Sequence, residues 1–185
     1  MAALTLGMLV FVSIHLLPCS ARVRAQLVAG LGEGIYKGAF SVLAAGGLAM
    51  IVFGMGRAAF VPIWTPPPWG RHLAWLLVAL GFISLVAAYL PSNLRRYTAH
   101  PMLWGVVLWA VGHLLANGDL ASVILFGGFL LYALGAIACA HRRGARPSDC
   151  RYRPIWDLVA AAVGLAAYVA VLSLHPWLFG VAAVP

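Results

Sequence analysis

The chain has 185 residues, of which 64% are apolar and 9% are charged. Soluble domains average about 45–50% apolar and about 25% charged residues, so this composition excludes an ordinary water-soluble domain. The formal net charge is +8, yet the basic residues fall between apolar runs instead of clustering on one polar face, which argues against nucleic-acid binding. The lipid bilayer is therefore the predicted environment of the chain.

Six runs contain no Asp, Glu, Lys or Arg, and each approaches or exceeds the roughly 20 residues that a transmembrane helix needs. They are Met1–Ala21, Gly38–Gly56, His72–Leu94, Tyr97–Gly118, Leu120–His141 and Leu158–Pro185. These runs take up most of the sequence and leave no room for a separate soluble domain. They predict an all-α fold, a polytopic transmembrane helical bundle of about six spans, with residues 1–185 forming a single domain.

The first connection is predicted to hold a short interfacial helix. The first span breaks near Pro18, and residues 21–37 then repeat apolar side chains at helical spacing with basic and polar side chains between them. Such an amphipathic stretch favours a helix that lies in the membrane interface. Three glycines, Gly30, Gly32 and Gly34, are expected to end it.

Prolines and tryptophans mark the next two spans. Residues 64–69 hold three consecutive prolines between two tryptophans. Proline is unsuited to a helix interior and tryptophan favours the headgroup level, so these residues predict a rigid interfacial loop. The third span is expected from about Leu73 to Leu90.

Turn residues mark the last three spans. The fourth span opens at Pro101 and runs to about Asn117, and the tight turn 117–119 makes spans four and five an antiparallel hairpin. The sixth span opens after Pro154, and Pro176 is expected to kink or end it.

The basic residues predict the orientation. Ten of the 12 Lys and Arg residues fall at one end of the predicted spans, and only Arg57 and Arg71 fall at the other. Because basic residues are enriched in cytoplasmic connections, both termini are predicted to be periplasmic in a bacterial inner membrane. The three cysteines, Cys19, Cys139 and Cys150, are then at or near the cytoplasmic ends, which argues against a structural disulfide.

Two histidines lie inside apolar helical sequence, His15 in the first span and His113 in the fourth. A buried imidazole must hydrogen-bond through both ring nitrogens or bind a metal. Two imidazoles on different helices are typical axial ligands of a haem b in a membrane bundle. Gly105, Trp109 and His113 also share one helical stripe that suits a flat porphyrin. The alternative is that each histidine bridges two helices in the core.

The other histidines have simpler interpretations. His72, His141 and His175 are expected near helix ends at the membrane interface, and His100 is expected to begin the fourth span by bonding a free backbone N–H. If His15 and His113 lie at different depths, His100 or His72 would replace one of the two ligands.

Several motifs closely resemble the NnrU family of bacterial membrane proteins. The most specific is His-Pro-x-x-x-Gly at 100–105 followed by His-Leu-x-x-Asn-Gly-Asp at 113–119. The others are Leu31–Gly38, Trp64–Trp69 and Ala88–Asn93. The resemblance covers nearly the whole chain and implies a role in nitrogen-oxide and denitrification metabolism.

The same family includes the 15-cis-ζ-carotene isomerase, which uses haem b held by two histidines. Mapped by motif, those ligands fall on His15 and His113, so the resemblance implies these metal ligands and an alternative function as a carotene isomerase. The isomerase has a cysteine three positions before its second ligand, where this chain has Ala110. This departure argues against a redox-switched isomerase mechanism. Cys19, four residues after His15, is either a substitute ligand or an interfacial helix-end cysteine.

Two further functions stay open. Residues 100–105 also resemble small membrane methyltransferases that use S-adenosylmethionine, which would need a cytoplasmic pocket around His100 and Arg95. A non-catalytic accessory protein of a respiratory complex would need only the basic loop as a docking surface. The predicted partners are the bilayer and either an apolar, lipid-like substrate or a respiratory protein. The oligomeric state is open, because the glycines of spans two and five could pack within or between chains.

Overall fold

A computed structural model describes residues 1–183 of the chain. Within these residues the backbone forms seven α-helices and no β-sheet, with one isolated bridge between Pro62 and Asp119. The helices are α1 (Ala2–Leu16), α2 (Ala21–Leu31), α3 (Glu33–Gly56), α4 (Gly70–Ala87), α5 (Pro101–Ala116), α6 (Leu120–Arg142) and α7 (Ile155–Phe179). A 3-10 turn, Leu17–Cys19, follows α1, and α6 contains a π turn at Val123–Gly127.

The predicted all-α, polytopic membrane architecture is confirmed. Five segments of 18 to 25 residues are long and apolar enough to cross a bilayer: α1 with its 3-10 turn, α3, α4, α6 and α7. The apolar helix α5 has 16 residues, so it is about 24 Å long at 1.5 Å per residue.

The bundle has two distinct ends. At one, which we call the basic end, the Ser148 N–H donates to the Arg95 carbonyl and the Arg143 guanidinium donates to the Pro18 carbonyl. At the opposite end, residues 57–69 meet the turn before α6, where the N–H groups of Ile63 and Trp64 donate to one carbonyl oxygen, that of Gly118. Each helix other than α2 therefore runs between the two ends.

Both termini of the described chain lie at the opposite end. Met1 packs against the same buried cluster as Met55 and Ala58, and the indole N–H of Trp75 donates to the Ala183 carbonyl at 3.0 Å. Residues 184 and 185, which complete the last predicted span, lie outside the described residues.

Small residues let neighbouring helices approach closely. Between α1 and α3, a Cβ added to Gly47 would lie 3.2 Å from the carbonyl oxygen of Gly7. Between α4 and α5, a Cβ on Gly105 would lie 2.8 Å from the carbonyl oxygen of Gly81. Backbone-to-backbone packing of this kind replaces the hydrophobic effect, which does not act between helices in lipid.

Helix α6 lies between α1 and α5 and contacts both. It runs parallel to α1, since Gly128 meets Met8 and Tyr132 meets His15 further along both helices. It runs antiparallel to α5, with Leu103 and Val107 of α5 in one cluster with Ala133 and Ile137 of α6. The two helices that carry the predicted ligands therefore point in opposite directions on either side of α6.

One predicted helix end is confirmed, and at another the helix continues past the expected position. The interfacial helix α2 ends at Leu31, because Gly32 has a φ of +78° that breaks the helix. Residues 33–37 then begin α3 instead of belonging to the interface. The last helix continues through Pro176 to Phe179 and ends at Gly180, whose φ is +74°. The Gly180 N–H donates to the Pro176 carbonyl at 2.9 Å and closes the final turn, in which the proline serves only as an acceptor.

The expectation of no structural disulfide is also wrong. Cys19 and Cys139 form a disulfide with a Cα–Cα distance of 5.6 Å, although 120 residues separate them. Parallel packing of α1 and α6 brings both cysteines to the basic end, because each lies at the same end of its helix. Cys150 is free and exposed.

Candidate functional site

His15 lies near the basic end of α1 and is half-buried. Its Nδ1 lies 2.7 Å from the carbonyl oxygen of Phe11, one helical turn earlier. The imidazole stacks on the Phe11 ring at 4.0 Å and meets the edges of Phe40 and Tyr132 at 5.2 and 5.5 Å. Since a backbone bond occupies Nδ1, Nε2 is the nitrogen left to coordinate a metal.

His113 repeats this arrangement on α5. Its Nδ1 lies 2.8 Å from the carbonyl oxygen of Trp109, and its ring stacks on Phe126 at 4.4 Å. The Asn117 amide donates to the His113 carbonyl at 2.8 Å, which satisfies an oxygen at the end of the helix. Here too, Nε2 is the nitrogen left for a ligand.

The two imidazoles lean toward each other along the bundle axis but contact α6 at different levels. Helical side chains tilt toward the N-terminus of their helix, and α1 and α5 are antiparallel. His15 therefore leans away from the basic end and His113 leans toward it. Their ring contacts on α6, Tyr132 and Phe126, lie six residues apart, which is about 9 Å along the helix axis.

Aromatic rings occupy the space between the two histidines. Phe129 of α6 contacts Phe11 at 5.3 Å on one side and Trp109 at 5.5 Å on the other. We call the set that connects the histidines the aromatic layer: Phe11, Trp109, Phe126, Phe129 and Tyr132. Among the described residues, His15 and His113 each contact this layer and do not contact each other.

The other two predicted cofactor residues, Trp109 and Gly105, contact different helices. Trp109 belongs to the aromatic layer and packs at 5.2 Å from the His113 ring. Gly105 faces α4, where its close approach to Gly81 leaves no space for a side chain. Helix packing therefore accounts for the glycine at 105, whatever its position relative to a porphyrin.

A cavity of about 600 Å³ opens at the basic end. The loop before α5, the last turns of α6 and residues 143–148 line it, and it brings together His100, Arg95, Arg143 and Arg146. His100 precedes α5, and its Nε2 is buried without a hydrogen-bond partner among the described residues. Burial, and then the charges of His141 and Arg143, lower the pKa of His100 from its ordinary value.

Sequence reasoning missed the polar network that holds this cavity in shape. The Asp157 carboxylate accepts hydrogen bonds from the Asn93 backbone and side chain at 2.8 and 2.6 Å and from the Ser92 hydroxyl at 2.9 Å. The Asn93 side chain also bonds the Tyr152 backbone in both directions at 3.0 Å. A carboxylate in the first turn of an otherwise apolar helix was the available signal, because such groups are costly near a membrane.

The fold and the buried polar groups define the class of this protein. It is a polytopic helical membrane protein with two half-buried imidazoles in an aromatic layer and a basic cavity at one end. A family model described as NnrU protein matches residues 3–183. The chain therefore belongs to the NnrU family, as its motifs predict. Neither the curated proteins nor the solved structures compared with it include a match.

The side chains around His15 and His113 fit haem in their chemistry. Both Nε2 atoms are available, and each Nδ1 is held by a carbonyl, which fixes ring orientation and raises ligand basicity. Apolar rings surround both imidazoles. In the present arrangement Phe129 fills the space between them, so a porphyrin would require this ring to turn aside.

Proposed function

We propose that the protein is an integral membrane haem protein that binds haem b with His15 and His113 as its axial ligands. The observation that supports this most is the matched pair of imidazoles, each with Nδ1 bound to a carbonyl one turn earlier and each leaning into one aromatic layer. Haem b supplies reversible one-electron chemistry at its iron when bound. The chain supplies the two ligands and an apolar environment that excludes water.

The side chains near the ligands favour electron transfer or sensing over isomerase chemistry. Two imidazole ligands leave no open position on the iron unless one departs. The exchange ligand of the carotene isomerase would lie at Ala110, which is fully buried and has no coordinating atom. Cys19 cannot replace it while its sulfur is bound to Cys139. From the family resemblance we place the protein in nitrogen-oxide or related respiratory metabolism, in a bacterial inner membrane. The split of the basic residues favours a cytoplasmic basic end, whereas the Cys19–Cys139 disulfide at that end is of a kind uncommon in the cytoplasm, and reporter fusions test this orientation.

The methyltransferase alternative receives mixed support. A cavity does surround His100 and Arg95, as that function requires. However, three arginines and no Asp or Glu are among the residues that line it in the described chain. Such a cavity repels the sulfonium and ammonium groups of S-adenosylmethionine.

The test is an absorption spectrum of the protein, expressed with ample haem supply and purified in mild detergent. The wild type should show the Soret band of a haem with two nitrogen ligands. His15→Ala and His113→Ala should each remove or shift the band, whereas the matched control His175→Ala should leave it unchanged. A colourless wild type, or His113→Ala with the wild-type spectrum, would contradict the proposal.

Two assays then separate the functions. The reduced protein is titrated with nitric oxide while its spectrum is recorded, and a parallel sample is incubated with 15-cis-ζ-carotene. We expect nitric oxide to displace one imidazole and change the spectrum, and we expect no isomerisation. Efficient isomerisation that is lost in His113→Ala would establish the isomerase alternative, and an inert protein in both assays would favour an accessory role.

A further inference from the structure

We propose that the cavity at the basic end binds an amphiphile with a phosphate headgroup. The cavity shares Tyr132 with the aromatic layer but contains neither His15 nor His113, and this inference does not rest on haem binding. Four features support it: its uncompensated charge, an unpartnered imidazole nitrogen, an apolar wall that continues into the bundle, and a lining held in place by hydrogen bonds.

The charge of the cavity matches a phosphate. Arg95, Arg143 and Arg146 line it, and no carboxylate lines it within residues 1–183. A guanidinium group is always charged and can donate two parallel hydrogen bonds to the oxygens of one phosphate. Three cations that share a cavity repel each other. A ligand with two negative charges offsets more of that repulsion than a singly charged carboxylate would.

Two of the arginines are already held by other groups. The Arg95 guanidinium donates to the Ala88 carbonyl. That of Arg143 donates to the Pro18 carbonyl at 3.2 Å and lies 2.9 Å from the Cys139 sulfur. Side chains that are ordered before binding lose less entropy when a ligand arrives.

The His100 imidazole supplies a further contact. Its Nε2 is buried and has no hydrogen-bond partner in the described chain. An unsatisfied buried polar atom destabilises the fold, so native proteins rarely keep one without a ligand or water to satisfy it. A phosphate oxygen in the cavity would accept a hydrogen bond from this nitrogen.

The cavity also has an apolar wall. Met102 and Leu103 of α5 line it together with Ala136 and Ala140 of α6, and it reaches Tyr132. Tyr132 precedes Arg143 by eleven residues, about 16 Å along the axis of α6. Met102 is 40% exposed and Tyr89 75% exposed, so the cavity borders the outer surface of the bundle there. This shape accommodates a headgroup at the arginines and an apolar chain along the helices.

Hydrogen bonds hold the lining in place. The loop before α5 is tied to α7 through Asn93 and Asp157, and the Ser148 N–H donates to the Arg95 carbonyl at 2.8 Å. The basic loop therefore folds back over the cavity instead of extending into solvent. A preformed cavity distinguishes this site from the general attraction of basic residues to anionic lipid.

The experiment measures binding of four probes to the delipidated full-length protein by native mass spectrometry. They are lysophosphatidic acid, lysophosphatidylcholine with the same chain, oleate and inorganic phosphate. We expect the first to bind at least tenfold more tightly than the others. Equal binding of lysophosphatidylcholine or oleate would contradict recognition of a phosphate monoester, and equal binding of inorganic phosphate would show that the apolar chain contributes nothing.

Matched arginine variants place the probe in the cavity. Arg146→Gln should weaken lysophosphatidic acid binding at least tenfold, because it removes a charge-assisted hydrogen bond to the phosphate. The control is Arg57→Gln at the opposite end, where the guanidinium lies over the Phe53 ring. Arg146 is exposed, so its loss should leave the melting temperature unchanged. Equal effects of the two substitutions would refute the assignment, whatever the haem experiments show.

Discussion

Replacing Gly54 by alanine tests the packing that holds α1, and with it His15, against α3. The added Cβ would lie 2.7 Å from the Leu4 Cα and 2.9 Å from the Ala3 carbonyl carbon. Both are backbone atoms, so no side chain can rotate away, and Leu4 is fully buried. The two helices must therefore separate locally or α1 must shift along α3.

The expected loss follows from two opposing effects. Overpacking of this kind costs about 1–3 kcal/mol, and the better helix propensity of alanine returns up to about 1 kcal/mol. Taking about 1 kcal/mol from the middle of the overpacking range leaves a net destabilisation of about 1 kcal/mol. For a chain of this length each kcal/mol lowers the melting temperature by about 2–4 °C, so we expect Gly54→Ala to melt about 2–4 °C below the wild type.

Gly46→Ala is the matched control on the same helix. No atom lies within 4 Å of a Cβ placed at Gly46, so only the gain in helix propensity applies and the melting temperature should hold or rise slightly. The assay is thermal unfolding in one detergent, followed by fluorescence of the seven tryptophans. Equal melting temperatures for the two variants would refute the close approach of α1 and α3.

Three further predictions concern the basic end. Maleimide labelling of the unfolded, unreduced chain should modify one thiol, that of Cys150, and reduction before labelling should raise the number to three. Three labelled thiols in the unreduced chain would contradict the Cys19–Cys139 disulfide. Reporter fusions at Pro185 and after Arg146 should give opposite signals, with the cytoplasmic signal at Arg146, because basic connections stay inside. Burial lowers the pKa of His100 below the ordinary 6.5, so as pH falls the unfolded chain binds a proton at this residue before the folded chain does. The contribution of the neutral His100 to stability is therefore full above pH 6.5 and is lost as pH falls toward the folded pKa. His100→Gln should therefore reduce the fall in melting temperature between pH 7 and pH 5, and an unchanged fall would contradict the burial of His100.

Local signals predicted the helices well. Pro101 begins α5, the 117–119 turn separates α5 from α6, and α7 begins directly after Pro154. These residues act through their own backbone conformations, which the sequence determines locally. The last helix continues past Pro176, where an end was one of the two expectations, because a proline near the end of a long helix removes one hydrogen bond without ending the helix.

The interior of the bundle could not be predicted in the same way. Helices α5 and α6 are apolar on all sides, so periodicity does not identify the face that meets a neighbour. Phe129 and Tyr132 therefore gave no sign that they lie beside Trp109 and His15. The parallel packing of α1 and α6 likewise depends on the whole topology, which is why the partner of Cys19 was not predicted.

The central claim is that one iron binds both His15 and His113, and electron paramagnetic resonance of the oxidised protein tests it most directly. Two imidazole ligands predict a low-spin ferric signal in the wild type, and loss of one ligand in His113→Ala predicts a high-spin signal or no haem. The His175→Ala control should keep the wild-type signal. A high-spin signal in the wild type, or a low-spin signal that survives in both His15→Ala and His113→Ala, would contradict the claim.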